Sequence, residues 1–186
     1  GKQDQYGAAL GGLNFIKFNQ DGSVSHEPIL MEGKTYKELQ KNLLMFYTGT
    51  TRSANTILAE QTRNITSEDK ARNLLKMCEL AKDMKIALEN NDISSFGKIL
   101  DEGWQLKKEL ASGIANQAID EAYEIAMKNG ALGGKLLGAG GGGFLLFYCE
   151  EEKQEQLKKA IGLKELDFSF ERDGTSVIYI GDKYWN

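Results

Sequence analysis

Residues 135–147 read KLLGAGGGGFLLF, a cluster of glycines between two apolar runs. Apolar runs interrupted by glycines are typical of buried strands, so we expect a strand on each side of the cluster. The glycines permit positive φ values and let another chain or a ligand approach bare backbone. Successive N–H groups in such a loop form a concave site for an anion such as phosphate. The alternative is a tight turn between two strands that binds nothing.

A second informative segment opens the chain, where GKQDQY is followed by small residues and then by Gly11 and Gly12. Asp4 has only polar and small neighbours in this segment, which suits a carboxylate that stays ionised and approaches a substrate hydroxyl. The alternative role for Asp4 is that of a helix cap or a turn residue. A third segment, FYTGTTRSA at residues 46–54, places a polar loop directly after an apolar run.

Together these three segments resemble the GHMP family of small-molecule kinases. The Gly-x-x-Asp-Gln pattern of residues 1–5 is similar to the catalytic-aspartate motif of that family, and GAGGGG at residues 138–143 is similar to its C-terminal glycine motif. Residues 46–61 narrow the similarity to kinases of D-glycero-D-manno-heptose phosphate, which feed activated-heptose synthesis for bacterial surface glycans. The resemblance extends from Gln3 to about Tyr148 and is looser beyond.

The resemblance implies a role for each motif. Asp4 would orient or deprotonate the attacking sugar hydroxyl, in a phosphoryl transfer that depends on positioning and charge stabilisation more than on strong basicity. The glycines of the C-terminal motif would form a loop that borders the substrate and packs beside the phosphate loop of the other half of the kinase. These glycines are Gly138, Gly140, Gly141, Gly142 and Gly143.

Two cations near these motifs are candidates for binding the phosphate of the sugar. Arg52 follows a strand-end loop, and its planar guanidinium suits two-point contact with phosphate oxygens. The alternative for Arg52 is a helix cap or a pair with a surface acid. Lys135 would place a positive charge beside the glycine motif, and its alternative is a surface lysine whose stem packs on the protein.

The Gly-Ser-Ser-Ala phosphate loop that GHMP kinases carry in their N-terminal half does not occur in this sequence. The serine pair Ser94–Ser95 follows Asp92–Ile93 and has the context of an ordinary helix start. We therefore expect a C-terminal portion that is inactive alone, with ATP and Mg²⁺ bound mainly by the absent half and no metal ligand in this portion. Apolar surface where that half docks would favour aggregation or a homodimer.

Composition excludes several other classes of protein. The 186 residues carry a net charge of -4 and no basic run, which argues against nucleic acid as the main partner. His26 is the only histidine, so there is no Cys/His metal cluster, and a Ser-His-Asp hydrolase depends on that one residue. No apolar run approaches the roughly 20 residues of a membrane span. Cys78 and Cys149 are expected to be buried free thiols, consistent with the reducing cytoplasm.

The patterns predict an α+β fold, an antiparallel sheet with a helical layer. Strands are expected at residues 13–18, 23–29, 43–47, 166–170 and 176–180, and helices at residues 35–40, 53–61, 67–89, 92–110, 114–128 and 150–161. The long helix from residue 67 would bury a single stripe. That stripe contains Ala71, Leu74, Leu75, Cys78, Ala81 and Leu88. Asp92 would cap the next helix, and Thr66 with Asp69 would form a capping box.

The resemblance implies two domains and a kinase function. Residues 1–34 would be the tail end of the N-terminal domain, ending in a remnant hairpin, and residues 35–186 the GHMP kinase C-terminal domain. The expected reaction transfers phosphate from ATP to the anomeric hydroxyl of D-glycero-D-manno-heptose 7-phosphate. Alternatives are another GHMP kinase, for galactose, fucose or mevalonate, and a non-catalytic binding protein with the same fold. The expected partners are the sugar phosphate, ATP and the missing N-terminal half.

Overall fold

A computed structural model describes residues 2–50, 54–64 and 67–178, without the side chains of residues 54–56. Helices and antiparallel strands alternate along this part of the chain, which confirms the predicted α+β class. No helix in the described ranges is both long enough and apolar enough to cross a lipid bilayer. Contacts divide the chain into two compact units, described in turn below.

The first unit combines the segment up to Leu30 with the segment from Ser169 onward. It begins with helix α1 (Lys2–Leu10), followed by the predicted hairpin of β1 (Asn14–Phe18) and β2 (Val24–Pro28). The two strands pair in antiparallel register over their full length. Helix α1 was not predicted, because none of its residues is buried and it lacks the apolar stripe that marks an amphipathic helix.

The second unit, Met31–Phe168, is built around a four-stranded sheet. Its strands are β3 (Leu43–Tyr47), β4 (Ala131–Leu136), β5 (Phe144–Cys149) and β6 (Lys164–Glu165). They lie in the order β4-β5-β3-β6, and each neighbouring pair is antiparallel. The strands predicted on both sides of the glycine cluster are therefore present, and they pair with each other. The division of a longer kinase into domains at residue 34 stays a prediction.

The described part of the second unit contains six helices. They are α2 (Gly33–Lys41), α3 (Ala54–Asn64), α4 (Glu68–Glu89), α5 (Phe96–Lys108), α6 (Gln117–Lys128) and α7 (Glu151–Ile161). The side chain of Asn116 accepts a hydrogen bond from the Ile119 N–H at 3.1 Å and caps the start of α6. Gly162 ends α7 with a left-handed φ of 65°, as expected for a glycine after the last helical turn.

The predicted start of one helix needs correction. Helix α5 begins at Phe96 and not at Asp92, because the Asp92 carboxylate accepts hydrogen bonds from the backbone N–H and the hydroxyl of Ser94. These bonds close a turn that precedes the helix. The predicted capping box of Thr66 and Asp69 stays a prediction, since Thr66 lies outside the described residues. The residue before α4 is Ser67, and its side chain makes no capping hydrogen bond.

The core of the second unit lies between the sheet and the helices. Trp104 on α5 and Tyr123 on α6 belong to it. Strand β4 lies close to α5, because glycines face each other at the contact. A Cβ on Gly97 would lie 2.7 Å from the Leu132 Cβ, and a Cβ on Gly133 would overlap the Gly97 carbonyl.

Two predicted strands near the C-terminus are not observed. The described residues of 166–170 and 176–180 form no strand, and residues 179 and 180 lie outside the described part. Strand β6 ends at Glu165, and its two residues pair with the C-terminal end of β3. The alternation of apolar residues did not correspond to a strand here. Val177 and Ile178 are 78% and 95% exposed, and they pair with no strand in the described chain.

The buried face of α4 also differs from the predicted stripe. Leu74 and Met77 pack against the core and Leu88 is buried, whereas Leu75 is 66% exposed and Cys78 is exposed. Ala81 is exposed as well. The prediction was wrong because apolar residues occupy two adjacent faces of this helix, and packing selects only one of them. Both thiols are free, and that of Cys149 is buried as predicted.

Tyr123 connects three elements through its hydroxyl group. The hydroxyl lies 2.7 Å from a carboxylate oxygen of Asp101 on α5 and accepts a hydrogen bond from the Gly134 N–H on β4 at 3.1 Å. Burial, reinforced by the hydrogen bond to Asp101, raises the pKa of the Tyr123 hydroxyl well above its usual value. The hydroxyl therefore stays protonated and serves a structural role at neutral pH.

We expect Tyr123→Phe to lower the free energy of unfolding by about 1–3 kcal/mol, because the Gly134 N–H then lies buried without a partner. The ring contacts with Trp104 and Phe147 remain in the variant. Urea unfolding of the variant and of Tyr47→Phe provides the measurement. The Tyr47 hydroxyl has no hydrogen bond within the described ranges, so equal effects of the two changes would contradict the assigned role.

Candidate functional site

The glycine loop, residues Leu137–Gly143, connects β4 to β5. The Leu137 N–H donates to the Phe144 carbonyl at 2.8 Å and closes the base of the loop. All five glycines of the sequence motif have positive φ values, from 75° to 158°. Side chains other than glycine rarely adopt this conformation, so the motif is required by the backbone path itself.

One side of the glycine loop is held by the segment Thr48–Thr50, which follows β3. The Gly143 N–H donates to the Thr50 carbonyl at 2.8 Å and to the Thr48 hydroxyl at 3.0 Å. The Thr48 N–H donates to the Gly143 carbonyl at 2.9 Å. At Gly142 a Cβ would lie 2.5 Å from the Thr50 carbonyl oxygen, which leaves no room for a larger residue. The two loops therefore form one packed structure.

The opposite side of the glycine loop rests on Ile114, in the connection between α5 and α6. The Gly141 N–H donates to the Ile114 carbonyl at 2.9 Å. A Cβ on Gly140 would lie 2.7 Å from the Ile114 Cα. Ile114 itself is fully buried in the core. The loop is therefore fixed from both sides before any ligand binds.

The connection that carries Ile114 is anchored to α3. Glu60 on α3 accepts hydrogen bonds from the backbone N–H and the hydroxyl of Ser112, both at 2.9 Å. These two bonds lower the pKa of the Glu60 carboxyl, with the backbone bond making the larger contribution. The Asn64 side chain donates to the Leu110 carbonyl at 2.9 Å. Helix α3 thus positions one support of the glycine loop.

These contacts limit how the loop binds an anion. The N–H groups of Gly141 and Gly143 donate to protein carbonyls and are therefore not available to a ligand. The N–H groups of Gly138, Ala139 and Gly140 have no acceptor among the described residues. A phosphate at this loop would have to use donors of that second group, supported by other parts of the protein. The loop is better suited to shaping a site than to enclosing a phosphate by itself.

The predicted cation Lys135 is half-buried on β4. Its backbone pairs with Leu146 on β5, and its side chain lines a groove that also contains Trp104 and Lys107. Burial lowers the pKa of the Lys135 ammonium. The second cation of the groove reaches the glycine loop directly, because the Lys107 ammonium donates to the Gly138 carbonyl at 2.6 Å. A role for Lys135 in binding the sugar phosphate stays a prediction.

The predicted catalytic residue Asp4 lies in the first turn of α1 and is exposed. It belongs to the first unit, whereas the glycine loop belongs to the second. Within the first unit α1 packs on the hairpin, with the rings of Tyr6 and Phe18 in edge contact at a centroid distance of 5.9 Å. An exposed carboxylate on a packed helix is available to a substrate, and its catalytic role stays a prediction. Arg52 lies outside the described residues.

Sequence reasoning missed the residues that hold the glycine loop. Thr48 and Thr50 were noted only as the strand-end loop before Arg52, and Ile114 was placed at the start of a helix. A signal for Thr48 was available, because antiparallel pairing of β3 with β5 brings the end of one strand to the start of the other. No local pattern indicated Ile114 or Lys107, whose contacts with the loop span more than twenty residues of sequence.

Metal binding was tested on the same residues. Across residues 2–50, 54–64 and 67–178, no three His, Cys, Asp or Glu side chains lie close enough together to hold a metal ion. Magnesium sites in proteins depend on carboxylates, usually with substrate phosphates completing the shell. The lack of three clustered ligands in the described ranges therefore does not bear on a magnesium ion held by one or two carboxylates. No step proposed below passes through a metal ion.

Comparison with known proteins bears on this site. Residues 84–165 match the family described as GHMP kinases C terminal. The matched range includes the whole hairpin of β4 and β5, the glycine loop between its strands, and Ile114. The resemblance seen in the sequence motifs is therefore confirmed for this region.

Individual relatives extend the similarity over most of the chain. The D-glycero-alpha-D-manno-heptose 7-phosphate kinase of Campylobacter jejuni is 32% identical over 177 residues, which are 94% of this chain and 52% of that kinase. The crystal structure of a D-glycero-D-manno-heptose 1-phosphate kinase from Bacteroides thetaiotaomicron matches with a TM-score of 0.62 and 30% identity, over 94% of this chain and 47% of that chain. The L-fucokinase/L-fucose-1-P guanylyltransferase of Bacteroides fragilis is 34% identical over 146 residues, 75% of this chain and 15% of that protein. The chain thus spans about half the length of the two heptose kinases.

Proposed function

Because residues 84–165 match the C-terminal region of the GHMP kinases, we propose that this chain is the C-terminal portion of a sugar-phosphate kinase. The proposed reaction transfers a phosphoryl group from ATP to the anomeric hydroxyl of D-glycero-D-manno-heptose 7-phosphate. The main support is the 32% identity, over 94% of the chain, to a kinase named for heptose 7-phosphate. The product would enter nucleotide-activated heptose synthesis in the cytoplasm.

In this proposal Asp4 contacts the reacting hydroxyl. Its carboxylate accepts a hydrogen bond from the hydroxyl, orients the oxygen toward phosphorus, and takes the proton as the new bond forms. Because phosphoryl transfer has a loose transition state, orientation and charge matter more than a high pKa of the base. The exposed position of Asp4 on α1 is compatible with direct contact to a substrate.

The glycine loop has a shaping role in the proposed site. Its contacts with Thr50 and Ile114 hold it in one conformation, which reduces the cost of ordering the site when substrate binds. We assign the phosphates of ATP, with Mg²⁺, mainly to the N-terminal half of the kinase, where the family carries its phosphate loop. Arg52 and Lys135 were the sequence candidates for the phosphate already present on the sugar. Lys135 lines a groove between α4, α5 and β4, so we assign this role to Arg52.

A second substrate is supported by one specific observation. The fucokinase of Bacteroides fragilis is slightly more identical in sequence, at 34%, although over a shorter part of this chain. A fucose-type kinase phosphorylates a sugar without a phosphate, so it has no need of the cation Arg52. A substrate panel separates the two proposals.

The test is a turnover assay of the full-length protein with ATP and Mg²⁺. Heptose 7-phosphate, L-fucose, galactose and mevalonate are offered separately, and ³¹P NMR identifies the position of the new phosphate. We expect turnover of heptose 7-phosphate with a new phosphate at the anomeric oxygen. Turnover of fucose alone would favour the second substrate. A nucleotide-dependent rise in melting temperature without turnover of any sugar would indicate a non-catalytic binding protein.

We also expect that residues 1–186 alone do not turn over heptose 7-phosphate, because the family's phosphate loop is not among them. The purified segment is assayed with ATP and Mg²⁺ after circular dichroism has shown that it is folded. A rate in the range of typical enzymes, about 1–1000 per second, would contradict the prediction.

A further inference from the structure

A groove between α4, α5 and β4 is separate from the contacts that hold the glycine loop to Thr50 and Ile114. Its volume is about 180 Å³. This is below the roughly 300–1,000 Å³ of a pocket for a drug-sized ligand, so the groove suits a small molecule. Its walls are mainly apolar and include Met77, Leu80, Met84, Ile99 and Leu100.

The polar groups in this groove are all donors. Trp104 is 1% exposed, and its indole Nε1–H has no hydrogen-bond acceptor among residues 2–50, 54–64 and 67–178. Buried tryptophan N–H groups ordinarily have a partner, so this N–H is a donor available to an acceptor beyond the described residues, such as a ligand. Lys107 and Lys135 are the other polar residues that line the groove, and none of the lining residues is acidic.

No described group balances the charge of Lys135. Its ammonium makes no ion pair or hydrogen bond with the part of the chain that the structure describes, although the residue is half-buried. Burial without a partner disfavours the charged form, and it accordingly lowers the pKa of this lysine. An anion beside Lys135 would remove this penalty. The other buried lining groups offer apolar contact.

We propose that this groove binds a small organic anion, a carboxylate or a phosphate monoester with an apolar part. The acidic group contacts the Lys135 ammonium and the Trp104 N–H, and the apolar part contacts Met77, Met84 and Leu100. Such a ligand supplies two features at once. It offers an acceptor to the buried Trp104 N–H and the half-buried Lys135 ammonium, and it offers apolar surface to the apolar wall of the groove.

Lys107 connects the groove to the glycine loop. Its ammonium lines the groove and donates to the Gly138 carbonyl at 2.6 Å. An anion in the groove competes with that carbonyl for the ammonium and changes the support of the loop. If the proposed kinase function holds, occupancy of the groove therefore alters the KM for substrate at a distance from the reacting atoms.

Binding is tested on the full-length protein labelled with [¹⁵N]tryptophan, so that each indole N–H gives its own NMR signal. The Trp104→Phe variant identifies the Trp104 signal by its loss. Phenyl phosphate and hexanoate are titrated as probes, with inorganic phosphate and hexanol for comparison. We expect the two amphipathic anions to shift the Trp104 signal in a saturable way, with Kd on the order of millimolar. The readout needs no activity, so it is independent of the proposed kinase function.

Substitutions of lysine distinguish anion binding in the groove from nonspecific attraction to surface charge. Lys135→Met is expected to lower the affinity for phenyl phosphate by about tenfold or more. Lys135→Gln supplies a second neutral variant should the first fail to fold. Lys135→Arg should retain binding. Lys98→Met removes an exposed lysine of α5 that does not line the groove, and it should change nothing.

Three results would overturn the proposal. One is a Trp104 signal that neither amphipathic anion shifts, and another is equal binding by Lys135→Met and the unmodified protein. The third is inorganic phosphate binding as tightly as phenyl phosphate, since the apolar wall would then contribute nothing. If only one of hexanoate and phenyl phosphate shifts the signal, the site is assigned to carboxylates or to phosphate monoesters accordingly.

Discussion

Replacing Asp4 by asparagine is expected to lower the kcat of the full-length kinase by about 100- to 10,000-fold, with a far smaller change in KM. Asparagine keeps the shape of the side chain and loses both its negative charge and its capacity to accept a proton. Substrate binding depends mainly on other groups, whereas proton removal from the sugar hydroxyl depends on this carboxylate in the proposed mechanism. Steady-state kinetics with heptose 7-phosphate and ATP provide the measurement.

Asp83→Asn is the matched control for this experiment. Asp83 is also an exposed aspartate on a helix, α4, and it belongs to no proposed site. Its replacement should leave kcat unchanged. Asp4 is exposed, so neither change should alter the melting temperature appreciably. An Asp4→Asn enzyme within about threefold of the unmodified enzyme would show that proton transfer to this group contributes little, well below the range typical of general bases.

The second large effect is expected at Gly142. A Cβ at this position would lie 2.5 Å from the Thr50 carbonyl oxygen and 2.9 Å from the Thr50 hydroxyl oxygen. Gly142→Val therefore forces the two loops apart, at a cost on the order of 1–3 kcal/mol from backbone strain with further loss from the collision. If the loop shapes the substrate site, kcat/KM per folded molecule falls by more than the loss of stability explains.

Stability and kinetics are measured on the same preparation of Gly142→Val. Gly162→Ala is the control, because Gly162 also has a positive φ, of 65°, but a Cβ there meets no atom within 4 Å. It lies after α7, outside the glycine loop, so it should lower the melting temperature while kcat/KM per folded molecule stays the same. A stable Gly142→Val enzyme with unchanged kinetics would remove the glycine loop from the active site.

Local patterns were sufficient for much of the fold. The hairpin of β1 and β2 and the strands around the glycine loop follow from alternation and from apolar runs beside glycines. Helix ends at Gly130 and Gly162 follow from the freedom of glycine to adopt positive φ. These features are set by a few neighbouring residues, and the rest of the molecule does not override them.

Other predictions failed where the outcome depends on a partner element. Residues 166–170 have the alternation of a strand, but β6 ends at Glu165. The hydrogen bond from the Leu166 N–H to the Met45 carbonyl, at 2.8 Å, does not extend the ladder into a longer strand. Helix α4 has apolar residues on two faces, and its packing leaves Leu75 exposed while it buries Leu88. Helix α1 has no apolar stripe, so its sequence carried no periodic signal.

The sequence by itself determined the class of fold, the position of the glycine loop and the family resemblance, because each depends on residues that are adjacent in the chain. Only the tertiary structure decided what holds that loop, namely Thr50 on one side and Ile114 on the other. It also decided that Lys135 and Trp104 line a common groove, where no described residue offers an acceptor to either donor. These contacts join residues that are remote in sequence, and packing of helices on the sheet, which no local pattern encodes, brings them together.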